Sequence, residues 1–184
     1  MRHLSVYNFL SLNGCYKGLN GDISWHQHGA EENSFSEKSM EPGNTLLFGR
    51  ITYEMMAGYW SSPAAFEQSP VVAEGMNKAE KIVFSTTLKT ADWKNTQLIK
   101  ENIVEEVRKL KQSNGKNMTI LGSGTIITQL AEANLIDSYQ IMIDPVVIKN
   151  GTPIFNNIQC NINLKLIDTK TFKSGVVLLN YAIE

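Results

Sequence analysis

The chain has 184 residues, with 17 Lys plus Arg against 18 Asp plus Glu, a net charge of −1 and two cysteines. That balance excludes the strongly basic surface that draws nucleic acids or acidic membranes, and no apolar run approaches the roughly 18 residues of a membrane span. Cys15 and Cys160 stand in no metal-like spacing, which fits a reducing compartment; the expectation is one cytoplasmic globular domain, residues 1–184.

The segment from Met1 to Tyr7 alternates polar and apolar residues without a signal-peptide core, and residues 3–10 read as a first strand. A glycine-rich loop follows from Asn13 to Asp22; loops this long inside compact domains are usually functional or mobile. The polar stretch from His28 to Glu41 predicts a short helix, with Phe35 and Met40 as its main apolar residues. Pro42-Gly43 turns the chain into a buried strand over 44–48, and a helix runs from Ile51 to near Gly58. Residues 60–70 read as irregular, and 81–85 as another short strand. Asn102 caps an amphipathic helix with Ile103, Val104, Val107 and Leu110 on one face, and Asn114-Gly115 stops it.

A strand over 118–121 then leads into a helix ending near Ala133. The remainder changes character. Residues 139–148, 164–172 and 176–183 are strand-like, joined by turns at Asn150-Gly151 and Lys173-Ser174-Gly175. Helices alternating with buried strands, followed by strand upon strand, predict an α/β fold with a mostly parallel sheet closed by a C-terminal antiparallel hairpin.

Two strand-to-helix elbows stand out: Leu46 to Glu54, containing Gly49, and Thr119 to Thr125, containing Gly122 and Gly124. Glycine admits close approach of a ligand, and a helix N-terminus offers unpaired N–H groups to an anion, so the pair suits a dinucleotide's phosphates. In the first elbow Arg50 supplies a forked cation for a ribose 2′-phosphate or a pyrophosphate and Thr52 a hydroxyl; the alternative is an ordinary helix start with a solvated Arg. Gly122-Ser123-Gly124-Thr125 is shorter than the three-glycine fingerprint of doubly wound folds and comes late in the chain, and no Walker Gly-Lys-Ser/Thr occurs.

Ser85-Thr86-Thr87 either contacts an adenosine phosphate or is a plain strand-end turn. His3, His26 and His28 form no zinc signature, so no metal is expected and the last two read as a solvated loop. Neither a Gly-x-Ser-x-Gly elbow nor a catalytic cysteine context is present. Trp25, Trp60 and Trp93 suit a core or a pocket wall, or stacking on a planar ligand.

Ser11-Leu12-Asn13-Gly14, Gly21-Asp22-Ile23-Ser24-Trp25 and the two elbows, in that order, resemble the dihydrofolate reductase-like superfamily. Pro145-Val146-Val147-Ile148-Lys149-Asn150-Gly151-Thr152-Pro153-Ile154-Phe155 is similar to a segment of proteins related to the C-terminal reductase domain of the bifunctional riboflavin-biosynthesis enzyme, the RibD C-terminal branch. The resemblance covers essentially the whole chain. It implies a three-layer α/β/α fold of about eight strands with NADPH across the carboxyl ends of its sheet. By position, Gly49, Arg50 and Thr52 would hold phosphate and ribose, Ser85 and Thr86 the adenosine, and Gly122, Ser123, Gly124 and Thr125 the pyrophosphate. Ser11, Leu12, Asn13 and Gly14 would flank the nicotinamide, and Trp25 and Tyr53 would face the substrate.

The chemistry implied is hydride transfer to a C=N or C=O carbon of a small pteridine- or pyrimidine-like heterocycle, with a proton delivered from an acid or a positioned water. Asp22, Glu31 and Glu32 are the candidate acids, and Asn13 stands where relatives commonly carry Asp beside Gly. The chain lacks the early Pro-Trp of dihydrofolate reductase, an Arg placed for the folate tail and a zinc-deaminase signature. The leading expectation is an NADPH-dependent reductase, homodimeric as its relatives often are. The alternatives are a non-catalytic nucleotide-binding module of the same fold, or dihydrofolate reductase proper.

Overall fold

The computed structural model describes residues 1–26, 29–40 and 43–184. His28, Glu41 and Pro42, which the sequence reading placed at the bounds of the first helix and in its turn, lie outside these residues, as does Gln27. The chain runs β1 (Leu4–Ser11), β2 (Cys15–Lys17), α1 (Ala30–Met40), β3 (Thr45–Gly49), α2 (Arg50–Trp60), α3 (Pro63–Gln68), α4 (Pro70–Lys78), β4 (Lys81–Phe84) and β5 (Thr96–Ile99). It continues with α5 (Ile103–Gln112), β6 (Met118–Leu121), α6 (Gly124–Glu132), β7 (Ser138–Asp144), β8 (Thr152–Pro153), β9 (Leu164–Thr171) and β10 (Val177–Ile183).

Eight strands form one sheet in the order β5-β4-β3-β6-β1-β7-β10-β9. The first six are parallel to one another, while β10 pairs antiparallel with both β7 and β9, which is the expected C-terminal hairpin. In β1, Leu4, Val6, Asn8 and Leu10 are all buried and Ser5, Tyr7 and Phe9 are half-buried, so the two faces carry different company. One face packs on Ile103 and Val107 of α5 and on Ile126, Ile127 and Leu130 of α6. Asn102 Oδ1 caps α5 as expected, accepting from the Val104 and Glu105 amides, and acidic first-turn and basic last-turn residues oppose the helix dipole.

The opposite face is covered in two separate patches. Tyr53 of α2 and Val72 and Met76 of α4 pack on Leu46, Phe48 and Val83. Phe35 of α1 packs with Tyr7 and Phe9 against Met142, Phe172 and Leu178. Between the two patches the floor over β6 and β1 stays open, and that gap is the cleft.

Residues 60–70 are not irregular. Ser62 accepts from the Ala65 amide at the start of α3, and Pro63 and Pro70 each stand at a first helical position, where a missing N–H costs nothing. Ser-Pro here is a helix start read as a break. β5 and the short pair β2–β8 also went unanticipated, each being too short to show alternation. The strand expected to reach Ile148 stops at Asp144, before Pro145, which biases its neighbour and donates nothing to a ladder. No described helix is long and apolar enough to cross a membrane.

Candidate functional site

A cleft of about 1500 Å³ runs from the carboxyl ends of β3, β4 and β6 across the open sheet face. Gly49, Arg50, Thr52, Ser85, Thr86 and the stretch from Gly122 to Thr125 all line it. The two elbows therefore meet in one place, because β3 and β6 are adjacent parallel strands.

The contact between them is direct. The Gly49 amide donates to Ser123 Oγ at 2.9 Å. A Cβ on Gly122, whose φ is +57°, would lie 3.1 Å from Thr52 Cγ2, and a Cβ on Gly124 would lie 2.7 Å from the Tyr16 ring. These glycines make room for protein neighbours that lock elbow to elbow and loop to elbow. Neither α2 nor α6 has a side chain capping its N-terminus, in contrast to α5. Two uncapped helix starts thus open onto the same cleft, an arrangement with N–H groups and positive potential to offer a phosphate.

Arg50 is half-exposed and paired with Glu54 Oε2 at 2.9 Å, one helical turn on. Ser85 serves its local turn, since its Oγ accepts from the Thr87 and Leu88 amides at 3.2 and 2.9 Å, while still lining the rim.

The Ser11–Gly14 loop lies away from the cleft lining. Ser11 is fully buried; its Oγ donates to Asn13 Oδ1 at 2.8 Å and accepts from the Cys15 amide at 3.1 Å. Asn13 clips the loop to the main chain of Ile148, donating to its carbonyl at 3.0 Å and accepting from its amide at 3.2 Å. A side-chain amide carries the same donor and acceptor as a peptide; aspartate would bring no donor, which accounts for Asn in this chain. Leu12 is exposed, its amide bonded to Val146 O, and Gly14 takes a φ of +76° in the turn.

The candidate acids are occupied elsewhere. Asp22 is exposed, and the Ser24 amide bonded to its carboxylate holds its pKa below the ordinary value. Glu31 accepts from the Lys173 amide, which likewise lowers its pKa, and Glu32 is buried with its carboxylate bonded to Ser174 Oγ. Both glutamates tie the first turn of α1 to the β9–β10 turn. Tyr53 belongs to the core instead of the substrate side: its hydroxyl accepts from the Trp93 amide at 2.9 Å, and its ring packs on Phe48 and Trp93. Three residues beyond Arg50 on α2, it faces the sheet. Trp25 stands edge-on to Phe9 and His26, a wall behind the cleft residues.

His26, expected in a solvated loop, instead has a buried side chain paired with Asp144. His26 lines the cleft, stacks on Phe9 with ring centroids 3.6 Å apart, and sets Nδ1 2.9 and 3.0 Å from the two carboxylate oxygens of Asp144. Both side chains are almost wholly buried, at 4% and 3% exposure. A carboxylate only accepts, so Nδ1 carries a proton and the ring is held in a fixed orientation. The partners are 118 residues apart. The one available signal was an acid ending a buried strand.

The sequence model of the RibD C-terminal domain matches residues 2–178. YyaP, a protein of Bacillus subtilis (strain 168), is 31% identical over 172 residues, spanning 94% of this chain and 90% of that protein. Among solved structures, a proposed riboflavin biosynthesis protein from Shewanella sp. PV-4 superposes with a TM-score of 0.77 at 19% identity, covering 99% of both chains. Dihydrofolate reductase from Enterococcus faecalis, solved with NADP(H), gives a TM-score of 0.66 at 17% identity over 99% of this chain and 96% of that one. The fold is dihydrofolate reductase-like.

Proposed function

The chain belongs to the RibD C-terminal domain family, and on that premise we propose that it is an NADPH-dependent reductase of a small heterocycle bearing a C=N or C=O group. The observation that carries the reading is the pair of uncapped helix starts joined by the Gly49–Ser123 hydrogen bond at the mouth of one cleft. Likeness in fold to a reductase solved with NADP(H) supports the choice of cofactor.

The residues present fit that cofactor. The first-turn amides of α2 and α6 would take its phosphates, with the Thr52 and Thr125 hydroxyls beside them. Arg50, at the start of α2, would meet a ribose 2′-phosphate by leaving Glu54, and Ser85 and Thr86 would border the adenosine. NADPH supplies a hydride from nicotinamide C4 when bound.

The chain's own residues do the rest. His26 holds a proton for the substrate nitrogen or oxygen, Asp144 fixes the orientation of the imidazole, and Phe9 packs flat against the ring to keep water from it. A buried, oriented His–Asp pair beside the cleft supports a reductase over a module that only binds nucleotide.

Titration with NADPH and with NADH, following nicotinamide fluorescence, tests the cofactor assignment. Saturable binding with a preference for NADPH is expected; no saturable binding of either overturns the proposal.

A further inference from the structure

Strand register lines up side chains in rows across the open face of the sheet. Phe9, Met142 and Leu178 form one row, Tyr7, Gln140 and Asn180 the next, and Thr119, Ser5 and Ser138 the one after. The first is apolar and lies under Phe35 of α1. The residues named in the other two are polar and line the cleft, bounded on the elbow side by Leu121 next to Tyr7 and by Leu46 next to Thr119.

They are linked side chain to side chain. Gln140 Nε2 donates to Asn180 Oδ1 at 2.9 Å, the Ser5 and Thr119 hydroxyls lie 3.0 Å apart, and Asn44 Nδ2 donates to Thr119 Oγ1 at 2.9 Å. From the facing helix, Asn33, Ser36 and Ser39 line the same space. Burial pushes the Tyr7 phenol up to about 12, so it stays neutral at any working pH.

No member of these rows carries a formal charge. The cations lining the cleft, Lys17, Arg50 and Lys100, come from β2, α2 and the end of β5. Asp168, across from Asn180 on β9, is exposed and outside the lining, and His3 touches only the outer end, bonded to Ser138 Oγ at 2.8 Å. Bulk water alone does not account for such a surface in this chain: β9, which faces water, carries Lys165, Asp168 and Lys170. Hydroxyls and amides that both donate and accept suit an uncharged ligand with groups of the same kind. A phosphate has nothing to neutralise it here, because the strand amides beneath are spent on the ladder.

At about 3.3 Å per residue the Tyr7 row lies roughly 7 Å and the Ser5 row roughly 13 Å along the strand from Phe9, so the rows lead away from His26. We propose that they form the subsite for an uncharged, hydroxyl- or amide-bearing tail of a substrate whose planar head lies against Phe9 and His26, and that a phosphate ester is rejected there. The position of the head rests on the reductase reading; the chemistry of the rows does not.

Uridine and uridine 5′-monophosphate, a planar head with the same sugar differing by one phosphate, are the probes, titrated calorimetrically into the wild-type protein with and without saturating NADPH. Uridine is expected to bind roughly tenfold or more tightly than the ester. Gln140→Leu, with Ser5→Ala as the gentler variant, should weaken uridine about three- to tenfold, one hydrogen bond's worth, and leave NADPH binding unchanged. Gln140→Lys should narrow or invert the preference. Ester binding equal to or tighter than uridine, no binding of uridine, or indifference to both Gln140→Leu and Ser5→Ala overturns the proposal. Loss of NADPH binding with the uridine preference intact would remove the reductase reading and leave the subsite standing.

Discussion

The two ends of the cleft are built by different means. The elbow end is built from backbone: two helix starts, three glycines and one hydroxyl bring main-chain amides to a common point. The other end is built from side chains that meet across strands, such as His26 with Asp144 and Gln140 with Asn180. A backbone site tolerates many side chains but few changes of shape. A side-chain site tolerates the reverse, and the difference predicts how each should fail.

The largest effect is expected at the side-chain end. His26→Gln keeps a polar planar group against Phe9 but removes the imidazole that would donate the proton, and should lower turnover by a factor on the order of 10² to 10⁴. Binding of NADPH should be untouched. Loss of nicotinamide absorbance with neutral pteridine and pyrimidine acceptors measures the first and fluorescence titration the second. Equal turnover in the variant would remove His26 from the chemistry.

At the backbone end the telling change is one methyl group. Gly124→Ala sets a Cβ 2.7 Å from the Tyr16 ring, a contact that must be relieved by moving the loop or the elbow. A loss of about 1–3 kcal/mol in urea unfolding is expected, the ordinary cost of overpacking. Adding Tyr16→Ala should restore part of it, since that substitution creates the missing space. A neutral Gly124→Ala would mean that Tyr16 does not hold the second elbow in place.

This division also explains what the sequence made legible. The elbows are contiguous, each a strand, a glycine and a helix within nine residues, and both were located from pattern alone. The α5 cap at Asn102 and the C-terminal hairpin were equally local. The His26–Asp144 pair was not, because nothing near residue 26 announces an acid near residue 144. Glu31, Glu32 and Asp22 are candidate acids by their closeness to Trp25, but Asp22 serves its own turn and the two glutamates reach the β9–β10 turn 142 residues away. Tyr53 misled in another way: the resemblance set it facing the substrate, whereas on α2 its side chain turns to the core against Phe48 and Trp93.

A smaller effect comes from the bond between the elbows. Ser123→Ala leaves the Gly49 amide without its acceptor and should cost about 1 kcal/mol of stability, a typical net hydrogen bond. Because the same change leaves an N–H at the mouth of the cleft, NADPH binding should fall less than stability does. A larger loss of binding than of stability would show that the Ser123 hydroxyl itself serves the ligand.

The smallest effect concerns the charged side chain at the backbone end. Arg50 and Glu54 are each about half-exposed, at 41% and 47%, and a solvated pair one turn apart contributes only about 0–1 kcal/mol. So weak a pair does not hold the guanidinium against a phosphate, which offers it a doubly charged, forked acceptor. Arg50→Ala should therefore weaken NADPH by roughly three- to tenfold and NADH scarcely at all. Glu54→Gln should leave NADH unchanged and tighten NADPH by about twofold, an advantage that added salt removes. If Arg50→Ala weakens both cofactors alike, the guanidinium does not read the 2′-phosphate, and the elbow end binds through its amides without choosing between them.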